Sequence, residues 1–272
     1  MEDKVTPRVP VNYREHRLNL FGQEIYVAAM AAPDSRQPAG AMEYVRLQSV
    51  SAAGGVIVGL RETDYTELAK KYGLEYYHLP IKDFTQAPPE TYSQLYQQVK
   101  KATEEGKKIT IHCGAGDGRS GTAIASLKLR EIIEKAAKED PAVLDQEQKI
   151  NSSVTPSMET IAVPCSLFVK QAVEKTRAER VVSSGNSKSE NGSHSVETIN
   201  DINALLVYEN VIKQEIKQQM GIDCQNTPSE HQENDLIMSD KFKDALIEIK
   251  KSEDTTKIEP SEEYSSNISK LD

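Results

Sequence analysis

The stretch from Lys108 to Ala137 constrains the fold more than any other part of the chain. Lys108 to His112 (KITIH) is a short β-branched run. The next six residues include Gly114, Gly116 and Gly118, and Ser120 to Ala137 then offers Ile124, Leu127, Ile132 and Ile133 for burial along a helix. A strand that turns straight into a helix through glycines belongs to a sheet covered by helices, because each element must bury its apolar face against another.

Other segments extend the same pattern. Gln23 to Ala29 (QEIYVAA) and Gly55 to Leu60 (GVIVGL) read as strands, the second uninterrupted enough for a buried central position. Ala41 to Val50 reads as a short helix. Thr63 to Tyr72 reads as another, with Asp64 near its start and Gly73 just past its end. Glu75 to Ile81 is a strand candidate weakened by Pro80. Glu90 to Glu105 is a helix with Tyr92, Leu95, Tyr96 and Val99 at helical spacing, ended by Gly106. The alternation predicts an α/β fold whose central sheet is mostly parallel and flanked by helices. The polar run 138–164 lacks a period and reads as an insertion. Helices are expected over Cys165 to Val182 and Val196 to Met220, separated by a Ser/Asn/Gly-rich, mobile loop at 183–195. Residues 1–220 then form one domain. Residues 221–272 form an acidic tail with a further amphipathic helix at Asp235 to Lys250.

Charge and cysteine usage exclude several classes of function. Residues 1–182 carry 24 basic and 24 acidic side chains, whereas 183–272 carry 9 and 18, so the net charge of −9 sits wholly in the last third. No basic cluster stands out, and nucleic-acid binding is not expected. No apolar run reaches the roughly 18 residues of a membrane-spanning helix, so no integral membrane association is expected. The first residues lack the apolar core of a secretory signal. Cys113, Cys165 and Cys224 are too few and too scattered for a disulfide framework or a zinc site, and His78, His194 and His231 lack metal-ligand spacing. No metal or cofactor is called for. A reducing, cytoplasmic compartment is the natural setting.

The chemistry concentrates in Ile111 to Thr122, IHCGAGDGRSGT. Glycines let successive backbone N–H groups curl inward at a helix N-terminus, which forms an anion nest. Such a nest beside a cation favours thiolate over thiol and places Cys113 to act as a nucleophile. It also cradles phosphate, through Gly114, Ala115, Gly116, Asp117 and Gly118. Arg119 adds a planar fork able to grip two phosphoryl oxygens, and Ser120 is suited to donate a hydrogen bond to the sulfur.

This stretch resembles the HCxxGxxR[ST] signature loop of the cysteine-based protein tyrosine and dual-specificity phosphatases, with His112, Cys113, Arg119 and Ser120 matching outright. The resemblance implies a metal-free hydrolysis of phosphate monoesters through a cysteinyl-phosphate, acting on a phosphorylated protein. It implies a general acid about 30 residues upstream. Asp83, just past a strand and followed by a proline-containing loop, fills that place; Asp64 is the only other upstream acid suited to it and reads better as a helix cap. Tyr26 to Pro33 is similar to the family segment YIAxQGP. Val173 to Arg180 with Val196 to Asp201 is similar to VxxxRxxR…VQTxxQ, whose last Gln positions the hydrolytic water. Asp201 stands in that place and Glu197 in that of the first Gln, with Asn200 the alternative for positioning the water.

The same loop serves inositol phosphate and phosphoinositide phosphatases, although those tend to carry Lys within it, where this chain has Gly114, Ala115 and Asp117. A phosphate-binding pseudophosphatase is the non-enzymatic alternative. The Glu- and Ser-rich end also resembles the delivery signals of type IV-secreted bacterial effectors, which implies delivery into a host cell; a plain acidic tail is the competing reading.

Overall fold

The computed structural model describes residues 5–33, 38–183 and 195–222, all within the unit Met1–Asp223. A sheet of β1 (Arg14–Leu20), β2 (Gln23–Met30), β3 (Gly55–Gly59), β4 (Glu75–His78) and β5 (Lys108–His112) runs in the order β1-β2-β5-β3-β4. β5 is central and parallel to both β2 and β3, and β3 is parallel to β4. Only β1 is antiparallel, joined to β2 by a turn in which Phe21 and Gly22 both have positive φ, at 56° and 76°. That conformation matches the twist of a two-residue hairpin. The expected mostly parallel α/β sheet is therefore the one observed.

Every residue of β3 is buried, as its unbroken apolar run demands. α1 (Pro38–Gln48) and α2 (Thr66–Lys71) cover one face through Met30, Met42, Val45, Ile57, Ala69 and Leu74. The larger core joins the sheet to α3 (Pro89–Glu104), α4 (Gly118–Glu139), α5 (Leu167–Ser183) and α6 (Ile199–Gln219). α4 is buried without a break from Gly118 to Arg130, which makes it the helix around which the others pack. Its two buried cations in that stretch below the first turn are paired, as burial of a charge requires. Lys128 donates to Glu179 at 2.8 Å and to the Arg17 carbonyl at 3.0 Å. Arg130 pairs with Glu134 and Glu215 and stacks 3.6 Å from the centre of the Tyr96 ring.

The structure corrects the sequence reading in two places. β1 lay in a segment assigned no strand; its inward positions are His16, Leu18 and Leu20. The polar run 138–164 is not plain irregular chain. It holds a 3₁₀ turn, Pro141–Leu144, and a small hairpin of β6 (Ser152–Val154) and β7 (Val163–Cys165), the latter reaching one residue past the run. Most of the 183–195 loop, the helix expected at Asp235 to Lys250 and the rest of the acidic tail lie outside the described residues. No helix among the described residues is long and apolar enough to cross a membrane.

This topology sends the chain out of the middle of the sheet at the C-terminal end of β5 and into the N-terminus of α4. Ligands of open parallel sheets collect in that position.

Candidate active site

Residues 113–117 bridge β5 and α4, and Cys113, only 2% exposed, sits at the bottom of the loop. Its Sγ accepts a hydrogen bond from the Gly116 N–H at 3.3 Å and lies 3.4 Å from the Ser120 Oγ. Gly116 has φ +85°, and a methyl group there would fall 2.4 Å from the Ala31 nitrogen. Only glycine fits that curl, and the curl is what aims the amide at the sulfur. At Gly118 a Cβ would meet only the end of the Glu197 side chain.

Arg119 is 8% exposed and joins three segments. Its Nη1 donates to the Ile81 carbonyl at 2.7 Å and to Glu62 Oε2 at 3.3 Å, and its Nη2 lies 3.1 Å from Asp83 Oδ2. Asp83 is thus brought against the cysteine loop across 36 residues of sequence, on a turn that leaves its side chain 55% exposed. The Glu62 carboxyl is held below its ordinary range, chiefly by its own backbone N–H and further by Arg119. Asp64 instead accepts from the Thr66 N–H at 2.8 Å, at the entrance of α2.

His112 is fully buried at the end of β5, and that burial lowers its pKa to about 4, so it is neutral. Burial pushes the Tyr76 phenol up, which leaves it a donor. The Tyr76 hydroxyl therefore donates to His112 Nε2 at 3.0 Å, and the proton on Nδ1 faces the Cys113 carbonyl at 3.3 Å. Gly59 makes room for this pair, because a Cβ there would lie 1.8 Å from the Tyr76 oxygen.

Three residues escaped sequence reading. Glu62 and Tyr76 could have been suspected, since they lie at or near the C-terminal ends of parallel strands, where sites assemble. Asn12 carried no such signal. Its Nδ2 donates to the Ala115 carbonyl at 2.8 Å and to Asp117 Oδ2 at 3.0 Å, across more than a hundred residues. By holding that carbonyl outward, Asn12 supports the loop from behind.

Asp201 is engaged at the start of α6. Its Oδ2 accepts from the Glu197 and Thr198 backbone N–H groups at 3.0 and 2.9 Å and from the Thr198 hydroxyl at 3.0 Å, and Thr198 caps the Asp201 N–H in return. This reciprocal capping box uses the carboxylate to start α6, and the Thr122 side chain of α4 bonds it as well. Burial raises the Asp201 pKa against the pull of these bonds. Arg177 donates to the Ser195 and Val196 carbonyls at 3.1 and 3.2 Å, which fixes the approach to the cap. Asn200 turns to the acid loop instead: its Nδ2 donates to the Phe84 carbonyl at 2.9 Å. Among the described residues, no group of three or more His, Cys, Asp or Glu side chains could hold a metal ion.

Residues 25–132 match the family model described as "Tc-R-P: Polymorphic toxin system, DSP-PTPase phosphatase". Among solved structures, Tk-PTP in its active form is 22% identical with a TM-score of 0.43, covering 67% of this chain and 90% of that one. Kinase associated phosphatase (KAP) is 15% identical with a TM-score of 0.45, covering 79% and 99%. The core catalytic domain of the PP-IP phosphatase SIW14 from S. cerevisiae is 14% identical with a TM-score of 0.41, covering 80% and 97%.

Two outcomes follow from the geometry. Asp201→Ala should lower stability by about 1–2 kcal/mol while the folded protein keeps its rate of phosphocysteine hydrolysis. An unchanged melt with a slowed second step would make Asp201 a water-holding group. The second outcome concerns pH. The unfolded chain protonates His112 near pH 6.5 and the folded chain only near 4, so unfolding is favoured increasingly as pH falls through that window. Stability should drop by up to roughly 3 kcal/mol between those values from this group alone. Urea melts of wild type and His112→Gln should differ in pH slope only there; identical slopes would contradict a buried neutral imidazole.

Proposed function

With residues 25–132 carrying a phosphatase domain of the DSP-PTPase kind, we propose that the protein hydrolyses phosphate monoesters of proteins through a cysteinyl-phosphate on Cys113. The observation that carries this reading is the sulfur itself: buried, held under the Gly116 N–H and beside Ser120, with Arg119 over the same loop.

Backbone N–H groups of residues 114–118 and the Arg119 fork hold the phosphoryl oxygens and stabilise the charge that develops on them. The Cys113 thiolate forms a bond to phosphorus while the phosphorus–oxygen bond to the leaving group breaks. Asp83 gives its proton to that departing oxygen. Water then attacks phosphorus and the phosphorus–sulfur bond breaks, with Ser120 donating a hydrogen bond to the returning thiolate and the Asp83 carboxylate taking the water's proton. His112 holds the Cys113 carbonyl and the loop's first turn in place, and Asn12 holds its far side. Asp201 contributes the α6 cap.

Phosphotyrosine proteins are the substrate class this reading favours. Glu62 and Asp83 face the Arg119 guanidinium and Asp117 lies in the cysteine loop itself, and this much negative charge suits a single phosphate better than a polyphosphorylated inositol ring. The polymorphic toxin description of the matched family supports delivery of the enzyme into another cell. A reducing cytosol there would keep Cys113 a thiol.

Cys113→Ser should abolish turnover yet bind inorganic phosphate within about tenfold of wild type, because the backbone nest and Arg119 remain. Retained turnover would remove the covalent mechanism. Asp83→Ala should slow phosphotyrosine hydrolysis by roughly 10²–10⁴-fold but barely affect an aryl phosphate with a very acidic phenol, which leaves without a proton. Equal losses on both would remove Asp83 from the role.

A further inference from the structure

Three of the side-chain bonds that fasten the acid-bearing turn to the body come from Arg119 and Asn200, beside the Ile81 N–H on the Leu60 carbonyl and the Asp83 backbone on Glu62. Arg119 takes the Ile81 carbonyl at 2.7 Å and the Asp83 carboxylate at 3.1 Å. The third is the Asn200 side chain, which donates to the Phe84 carbonyl at 2.9 Å from the first turn of α6. Between these points the turn closes on itself through the Thr85 hydroxyl, which donates to the Lys82 carbonyl at 2.8 Å.

Phe84 needs such a restraint. It has φ +57°, a left-handed conformation that a bulky side chain disfavours, and its ring is 58% exposed, so ring packing does not hold the backbone there. A backbone conformation of that kind persists only when neighbours impose it. Asn200 imposes it from a rigid base: the helix start on which it sits is locked by the Thr198–Asp201 capping box. The bond also spans 116 residues, joining the last described helix to the loop that follows β4.

We propose that Asn200 is a positioning residue for the general acid: by holding the Phe84 carbonyl, it fixes the turn that presents Asp83 to the leaving group above Cys113. The proposal rests on the reading of Asp83 as the acid. It differs from a water-positioning role at this place in the sequence, since a side-chain amide engaged with the acid turn acts on departure of the leaving group and not on hydrolysis of the phosphocysteine. Asn200 is not itself the α6 cap, so replacing it leaves the helix start intact.

The experiment measures pre-steady-state bursts on a series of aryl phosphates, from very acidic phenols to a tyrosine-like phenol. The proteins compared are wild type, Asn200→Ala, Asn200→Asp, Asp83→Ala and the Asp83→Ala/Asn200→Ala double variant, with thermal melts to establish folding. Asn200→Asp is the second probe because a carboxylate has no N–H to donate and repels the carbonyl. Both Asn200 variants should slow the burst by roughly 3- to 10-fold with the tyrosine-like phenol, the worth of one hydrogen bond, and not with the most acidic one. The double variant should be no slower than Asp83→Ala. A burst loss equal across the series and additive with Asp83→Ala would overturn the proposal. An unchanged burst for both Asn200 variants would also overturn it. If Asp83→Ala itself shows no leaving-group dependence while Cys113→Ser is inactive, the assignment of Asp83 has failed, and the proposal falls with it for that separate reason.

Discussion

A guanidinium buried in the first turn of α4 is the interaction on which the rest of the site depends. Arg119 leaves water, a costly step for a charge, and recovers that cost only because the Ile81 carbonyl, Glu62 and Asp83 all face it. These partners come from the loops after β3 and β4, so one cation gathers the C-terminal ends of neighbouring strands around the cysteine loop. A bound phosphoryl group competes for the same donors. The two carboxylates and the substrate are therefore coupled through a single side chain, and a lysine there, with a point charge and no fork, could not serve them together.

The second constraint is steric. Gly116 passes against the backbone of Met30 and Ala31, and Gly59 lets the Tyr76 hydroxyl reach His112. Neither close approach tolerates a side chain. The loop is consequently held from several directions: β2 beneath it, Tyr76 and His112 at its base, Asn12 behind it and Glu197 against Gly118. Electrostatic preorganisation of this kind lets a site act on developing charge without rearranging.

The cysteine loop and the parallel sheet were legible in the sequence because their signals are local. KITIH is a short run with two β-branched isoleucines and GVIVG an unbroken apolar one, and the glycines mark the turn between β5 and α4. β1 was not legible, since its inward face begins with His16, a polar residue whose burial depends on Glu179 far along the chain. The β6–β7 hairpin is too short to show a period. Asp201 carries two patterns at once: its place after Val196 matches the family's water-positioning residue, and Thr198-x-x-Asp201 is a capping box, which the structure forms. Asn12 and Asn200 act entirely through contacts that the fold creates, and no spacing in the sequence announces such pairs.

The most direct measurement is to quench turnover of a phosphotyrosine peptide in acid within the burst and map the phosphate by mass spectrometry. The account predicts phosphate on the peptide that contains Cys113, appearing at the burst rate and missing from Cys113→Ser. Turnover with no phosphate on Cys113, or with phosphate on another residue, would contradict it.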